Sequence, residues 1–260
     1  MRAQMKWTMA LGALCLLTLA SLARAEVSQK DTVRVTVTGK LAPRTLPRSG
    51  AAPVAVSVGG EIASTDQSTP PQLKALRIEV NRNGHLDSTG LPTCSYDSIQ
   101  PASSSRALAA CRSSLVGQGR FSANIVLSGQ EPYPTKGRLL VFNSMSHGKP
   151  VLLGQIYAPH PFATSFVFVF AIRHLAKGPY GTALEASLPR ALGNWGYVTG
   201  IEIKLSRRYS YRGQRHSYIS AGCPAPAGFN KVAFPLARTS FTFSGGLKLS
   251  STLNRSCMAR

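Results

Sequence analysis

The sequence has few acidic side chains: Asp and Glu together number 10, against 30 Lys and Arg, in a chain of 260 residues. The shortage is greatest after residue 135, where 16 basic residues stand against two acidic ones, Glu185 and Glu202. A glycosidase needs two carboxylates beside the bond that it cleaves, and this chain has few carboxylates from which such a pair could form. The excess of positive charge indicates attraction to anionic polymers or surfaces, although charge of this kind also serves solubility alone.

Motifs that would carry metal or cofactor chemistry are missing. The cysteines and histidines show no CxxC or HxxxH spacing, which argues against zinc. The chain also lacks a GxSxG elbow, an HExxH motif, a Gly-rich phosphate loop and an EF-hand loop. We therefore expect no cofactor and no metal site, and an enzyme is the less favoured interpretation.

Long apolar runs are absent beyond the N-terminus. Arg2 and Lys6 precede the apolar stretch "MALGALCLLTLASLA", and "ARA" ends at Ala25, which is the pattern of a cleaved signal peptide over residues 1–25. The next longest apolar run, "FATSFVFVFAI", has the length of a buried strand rather than of a membrane span. The sequence thus predicts a secreted or cell-envelope protein without a transmembrane segment after signal cleavage.

Four cysteines remain after the predicted cleavage, and an even number in an exported chain favours disulfides. Four cysteines allow three pairings. The two local pairings close the shortest loops and have the lowest entropic cost, so we expect one bridge between Cys94 and Cys111 and another between Cys223 and Cys257.

Alternation of apolar and polar residues dominates the rest of the chain. In "TVRVTVT", Val33, Val35 and Val37 share one face of a strand, and about a dozen similar segments follow between Gly-, Pro- and Ser-rich turns. One helix is predicted over "SSSRALAACRSSL", residues 103–115, with serine as its N-cap. This pattern predicts an all-β protein: an antiparallel β-sandwich, jelly-roll-like or Ig-like, with one short helix and two disulfides. Residues 26–260 are expected to form a single domain, and residues 159–161 are the best place for a split.

The segment "KLSRRYSYRGQRHSYISAGC" is the most basic and aromatic part of the chain. Interpreted as a hairpin, it turns at "RGQR" and gathers cations and rings that are suited to phosphate, carboxylate or sugar. The opposing interpretation is an edge hairpin whose charges only prevent aggregation. The predicted binding residues are Lys204, Arg208, Arg212, Arg215, His216 and Tyr218.

Two enzyme interpretations stay open. Asp87 and Asp97, with His85 nearby, form the one polar cluster that would suit a carbohydrate-active enzyme. The motif "SAGC", which ends at Cys223, resembles the cysteine loop of L,D-transpeptidases. The histidine segment that precedes the cysteine in that family is missing here, and His216 has the wrong strand parity to activate Cys223.

A wider resemblance rests on "NRNGHLDSTGLPTC", "LGNWGYVTG", "SYISAGCPAPAGF" and "GGLKLSSTLNRSC". These segments resemble a set of secreted bacterial proteins without a characterised function. The resemblance implies export and one recurrent architecture, and it implies no activity. Our functional expectation is a secreted, non-catalytic protein that associates through a basic surface with an anionic envelope polymer or acidic glycan, and not with a specific nucleic acid. The alternatives are a carbohydrate-active enzyme and a structural or adhesin-like module whose charge is incidental.

Overall fold

The computed structural model describes residues 25–188 and 196–260. The predicted signal peptide lies outside these residues, except for Ala25.

Short strands make up most of the described chain. The strands are β1 (Glu26–Lys30), β2 (Val33–Ala42), β3 (Thr45–Leu46), β4 (Ala52–Pro53), β5 (Ala55–Ser64), β6 (Leu73–Asn81), β7 (Gly84–Leu86), β8 (Leu115–Ile125), β9 (Tyr133–Ser146), β10 (Lys149–Ala158), β11 (Thr164–His174), β12 (Tyr180–Ser187), β13 (Gly196–Leu205), β14 (Arg208–Tyr211), β15 (Gln214–Ser217), β16 (Ile219–Ala221), β17 (Lys231–Phe243) and β18 (Lys248–Ala259). Helix α1 spans Ser104–Cys111, and short 3-10 turns follow at Arg112–Ser114 and Ser244–Gly246.

Within the described ranges, thirteen strands form one sheet in the order β1-β2-β5-β13-β8-β9-β10-β11-β12-β6-β17-β18-β3. All neighbours are antiparallel except β18 and β3. The sheet curls strongly, because β18 also contacts β1 and β2. Arg255 on β18 joins the two ends: it donates to the carboxylate of Glu26 and to the carbonyl of Gly39, each over 2.8 Å.

The curl encloses the main hydrophobic core. Val35 and Val37 on β2 are fully buried in it, as the alternation in the sequence predicts. Two glycines allow the opposite halves of the sheet to approach. A Cβ atom at Gly39 would lie 2.8 Å from Leu253 Cδ1, and one at Gly60 would lie 2.8 Å from Phe241 Cζ. Each large apolar side chain that is fully buried here stabilises the fold by about 1.5–3 kcal/mol.

The outer face of the sheet carries a second, smaller core beneath α1. Ser103 caps this helix, since its hydroxyl accepts from the amide of Arg106 over 3.3 Å, and Cys111 bonds to Cys94 in the preceding loop. The predicted helix is therefore present, but it ends at Cys111 rather than at Leu115. Leu115 instead begins β8 and pairs with Phe142, because strand pairing there outweighs the helical pattern.

The remaining strands form two small sheets. β14 and β15 form a hairpin, and β16 joins β4 and β7. After β16, Cys223 bonds to Cys257 on β18. The described residues thus form a mostly antiparallel β protein with one short helix and two disulfides, as the sequence predicts. The segment 159–161, the predicted place for a split, lies in the connection between the paired strands β10 and β11.

In the ranges that the structure describes, every helix is too short or too polar to cross a membrane.

Candidate functional site

A groove of about 930 Å³ lies on the outer face of the curled sheet, and we call it the basic groove. Its cations are Lys40, Arg120, Lys136 and Arg138; its acids are Glu61 and Glu202; glycines and small polar residues form most of its floor. Ser104 at the start of α1 closes one end, where the helix covers β9 and β10.

The groove follows a single row of residues across six neighbouring strands. Strand pairing sets Thr38 beside Gly59, Gly59 beside Glu202, and Glu202 beside Arg120. Arg120 then pairs with Arg138, and Arg138 pairs with Tyr157. Because the row contributes one residue from each strand, the groove crosses the strands. The residues of the row are Thr38, Gly59, Glu202, Arg120, Arg138 and Tyr157.

Two lysines flank the row on opposite sides. Lys40 lies beside Ser57 on one side of the row. Lys136 lies beside Ser122 on the opposite side. Lys204, one of the predicted binding residues, lies on β13 and pairs with Ser57 on β5, so it lies at the edge of the groove. All three lysines are exposed, and their strand neighbours, which are buried or partly buried, face the other side of the sheet.

The charges in the groove are only partly neutralised. Arg120 donates to one carboxylate oxygen of Glu202 from Nε over 3.0 Å and from Nη2 over 2.6 Å. Arg138 donates to the amide oxygen of Gln118 over 2.9 Å. Within residues 25–188 and 196–260, neither Lys40 nor Lys136 forms an ion pair, and Arg138 has no acidic partner. The groove therefore keeps a net positive charge.

The structure separates the predicted binding residues of the β14–β15 hairpin into two groups. Arg208 and Arg215 lie on one face of the β14–β15 hairpin, because Arg215 pairs with Ser210, two residues after Arg208. Arg212 lies at the turn with φ of 50°, and its guanidinium carbon is 5.2 Å from the centre of the Tyr211 ring. These three arginines are exposed, as the prediction requires.

The two predicted rings lie elsewhere. His216 is on the opposite face of the hairpin from Arg208 and Arg215, since it pairs with Tyr209. Tyr218 is 1% exposed and belongs to the main core, where burial raises the pKa of its phenol. Its ring is therefore not on the surface.

His216 docks the hairpin onto the loop after β7. Its Nδ1 lies 3.5 Å from a carboxylate oxygen of Asp87, and its ring stacks on Tyr209 with centroids 5.4 Å apart. Burial opposes ionisation of Asp87, but the hydrogen bonds from Thr89 and the nearby His216 outweigh it and hold the pKa of the carboxyl below its usual value. The Tyr209 hydroxyl donates to the carbonyl of Thr89 over 2.9 Å. These contacts fasten the hairpin to the body of the protein.

The structure does not join the residues of the two enzyme interpretations. Asp87 faces a histidine rather than a second carboxylate, and the side chain of Asp97 has no hydrogen bond or ion pair with any described residue. His85 is exposed on β7. Cys223 is buried in a disulfide with Cys257, so its sulfur is not a free nucleophile, and the transpeptidase interpretation is wrong in this respect.

The sequence prediction missed most of the basic groove. Of the predicted site residues, Lys204 alone lies at its edge. The signal that would have found the others is present in "GRFSAN" and "TKGRLL", where Arg120, Lys136 and Arg138 alternate with residues of a strand pattern. That signal shows which residues point outward, but it does not show which strands lie side by side.

Comparison of the chain with models of protein families, with curated proteins and with solved structures gives no match. The function must therefore be argued from the site.

Proposed function

We propose that this chain is an exported, non-catalytic binding protein that holds a linear anionic polymer, either a polymer of the cell envelope or an acidic glycan, in the basic groove. The observation that carries the proposal is the residue row that crosses six strands with cations in it and on both flanks. An elongated site with repeated positive charge suits an elongated ligand with repeated negative charge.

The length of the groove favours a polymer over a small molecule. Neighbouring strands in a sheet are about 4.8 Å apart, so the row from Thr38 to Tyr157 extends over about 24 Å. Arg120 and Arg138 lie on adjacent strands near its centre, and Lys40 and Lys136 lie on opposite flanks. An extended polymer that lies along the row passes all four cations.

The chemistry of these side chains favours phosphate, sulfate or carboxylate groups. Guanidinium groups make charge-assisted, bidentate hydrogen bonds with such anions, and ammonium groups attract them as point charges. Tyr157 at the end of the row adds an aromatic ring of the kind that packs against sugars. Glu202 limits the attraction, because it already occupies the side chain of Arg120.

We also propose that the protein is exported and that its curled sheet is a two-layered β-sandwich. The predicted signal peptide supports export, and two disulfides together with the absence of a membrane-spanning helix among the described residues are compatible with an extracellular protein. The contacts of Gly39 with Leu253 and of Gly60 with Phe241 support a sandwich of two layers within the curled sheet.

A lysine footprint tests the binding site. The protein is acetylated briefly with and without a heparin oligosaccharide, and modification at each lysine is read by mass spectrometry. We expect the oligosaccharide to protect Lys40, Lys136 and Lys204.

The matched controls are Lys149 at the start of β10 and Lys231 at the start of β17, which are exposed but outside the groove. Equal protection of all five lysines would show non-specific attraction by net charge, and absence of protection would reject heparin-like polymers as ligands. Either result would overturn the proposed site.

A further inference from the structure

A second concave site lies on another part of the sheet, on the outer face of β6, β12 and β17. It has a volume of about 490 Å³ and is lined by Glu79, His174, Tyr180, Arg238 and the loop 175–179. We call it the Arg238 pocket. It shares no lining residue with the basic groove.

Arg238 is held in one orientation by two contacts. Its Nε donates to the carboxylate of Glu79, and its guanidinium carbon lies 4.9 Å from the centre of the Tyr180 ring. Glu79 is itself 3% exposed and is fixed from the other side by Nη2 of Arg77 over 2.9 Å. The two terminal nitrogens of Arg238 have no acceptor among the residues that the structure describes. The guanidinium group of Arg238 is therefore held in place while both of its terminal nitrogens can still donate hydrogen bonds to a ligand.

The loop that forms the other wall has some of its carbonyl groups occupied and several of its amide groups without an acceptor among the described residues. Arg82 donates to the carbonyls of Leu175, Gly178 and Tyr180 over 3.2, 2.9 and 3.0 Å. Over residues 25–188 and 196–260, no acceptor is found for the backbone N–H groups of residues 176–178. Unpaired N–H groups in a tight loop with a glycine at positive φ, here Gly178 at 83°, are a common element of anion sites.

The charge of the pocket together with the ion-paired residues beside it is also positive. Glu79 is shared by Arg77 and Arg238, and Glu185 is shared by Arg77 and Arg173, so three arginines surround two carboxylates. Lys177 adds a further cation on the loop and forms no ion pair with another described residue. An incoming anion would meet an uncompensated charge.

We propose that the Arg238 pocket binds a phosphate group, which accepts hydrogen bonds from the terminal nitrogens of Arg238 and from the loop 175–179 and is attracted by Lys177. A tetrahedral oxyanion has enough acceptor positions for the guanidinium group and the loop together, whereas a carboxylate satisfies the guanidinium group alone. The group is either free phosphate or the terminal phosphate of a larger molecule. This site is independent of polymer binding in the basic groove.

Calorimetric titration of the folded protein with inorganic phosphate tests the site. We expect one saturable site per chain, at least tenfold weaker binding in Arg238→Lys, which keeps the charge but loses the guanidinium group, and weaker binding in Lys177→Gln. Lys177 is an exposed loop residue, so Lys177→Gln keeps the test valid if Arg238→Lys fails to fold because Glu79 loses a partner. Arg106→Gln, an exposed change on α1, is the control and should bind as the wild type does.

A parallel titration with glycerol phosphate identifies the source of the group. Tighter binding than that of inorganic phosphate would indicate the terminal phosphate of a larger molecule, and equal or weaker binding would indicate free phosphate. The proposal is overturned if the wild type shows no saturable binding of either compound, or if Arg106→Gln weakens binding as much as Lys177→Gln. Failure of this site leaves the basic groove untouched, because Lys177→Gln should retain polymer binding and Lys136→Gln should retain phosphate binding.

Discussion

Arg120 on β8 donates two hydrogen bonds to a single carboxylate oxygen of Glu202 on β13, directly across the strand pair. The pair lies in the middle of the basic groove, and the Arg120 side chain is 83% exposed. Glu202 therefore lowers the positive potential at the place where the proposed polymer binds.

Glu202→Gln should tighten binding of an anionic polymer by a factor of about 1.4 to 5, because exposed charge pairs of this kind contribute about 0.2–1 kcal/mol. Binding of a heparin oligosaccharide at low salt, measured by calorimetry, checks this. Asp31→Asn is the control, since it removes the same charge at an exposed turn with positive φ that asparagine tolerates. Equal tightening in both variants would show that net charge alone governs binding.

Glu79→Gln should lower the free energy of unfolding at neutral pH by about 1–3 kcal/mol, since it leaves buried polar atoms poorly paired. The side-chain hydrogen bond from Arg238, and then that from Arg77, hold the pKa of Glu79 below its usual 4.5 against the opposing effect of burial. A lowered carboxyl pKa contributes stability that is fully present above about 4.5 and is lost as the pH falls through the folded-state pKa. Urea denaturation at several pH values should thus show the wild type and the variant converging in acid.

Glu131→Gln, an exposed change in the loop between β8 and β9, is the matched control and should leave the unfolding curve nearly unchanged at every pH. A constant difference between wild type and Glu79→Gln down to acid pH would contradict the role given to this carboxylate.

Gly119→Ala should destabilise the sheet beneath the groove by about 3 kcal/mol. A Cβ atom at this position would overlap the backbone carbonyl of Glu202, so β8 and β13 would have to separate. Gly129→Ala is the comparison: its Cβ would meet nothing within 4 Å, and it should cost only about 1 kcal/mol for its positive φ. Thermal unfolding measures both, and equal losses would show that the close approach at Gly119 is unimportant.

Replacing both members of either disulfide with alanine should cost about 2–4 kcal/mol. The Cys223–Cys257 bridge spans 34 residues and the Cys94–Cys111 bridge spans 17, so loss of the former should cost about 0.6 kcal/mol more if loop entropy dominates. Urea denaturation of the two double variants measures the difference. Free thiols in the unfolded, unreduced protein would contradict both bridges.

Local patterns predicted the strands, the capped helix and both cysteine pairs, because each depends on neighbouring residues or on short loops. Val33, Val35 and Val37 alternate as the buried face of β2 requires, and Ser103 caps α1. The basic groove was missed because it depends on strand order. Lys40 and Arg138 are almost a hundred residues apart in sequence, and only the pairing of β2, β5, β13, β8 and β9 brings them to one surface.

The predicted hairpin is present as β14 and β15 with its turn at Arg212 and Gly213, but His216 and Tyr218 do not lie beside its arginines. β13 ends at Leu205, and the hairpin begins separately at Arg208. The turn at Arg212 and Gly213 pairs His216 with Tyr209, so His216 lies on the face that meets Asp87 and not on the face of Arg208 and Arg215. Tyr218 directly follows the hairpin, where its amide donates to the carbonyl of Arg207 and its side chain is buried in the main core.

Retention on a heparin column tests most directly whether the arrangement of charge, rather than its sum, makes the binding site. Lys136→Gln/Arg138→Gln removes two cations from the groove, and Arg106→Gln/Lys149→Gln removes two exposed cations outside it. Both double variants have the same net charge. Because salt screens charge attraction, the groove variant should elute at a distinctly lower salt concentration than the wild type, and the control should elute close to the wild type. Elution of both variants at the same salt concentration would contradict a binding site in the basic groove.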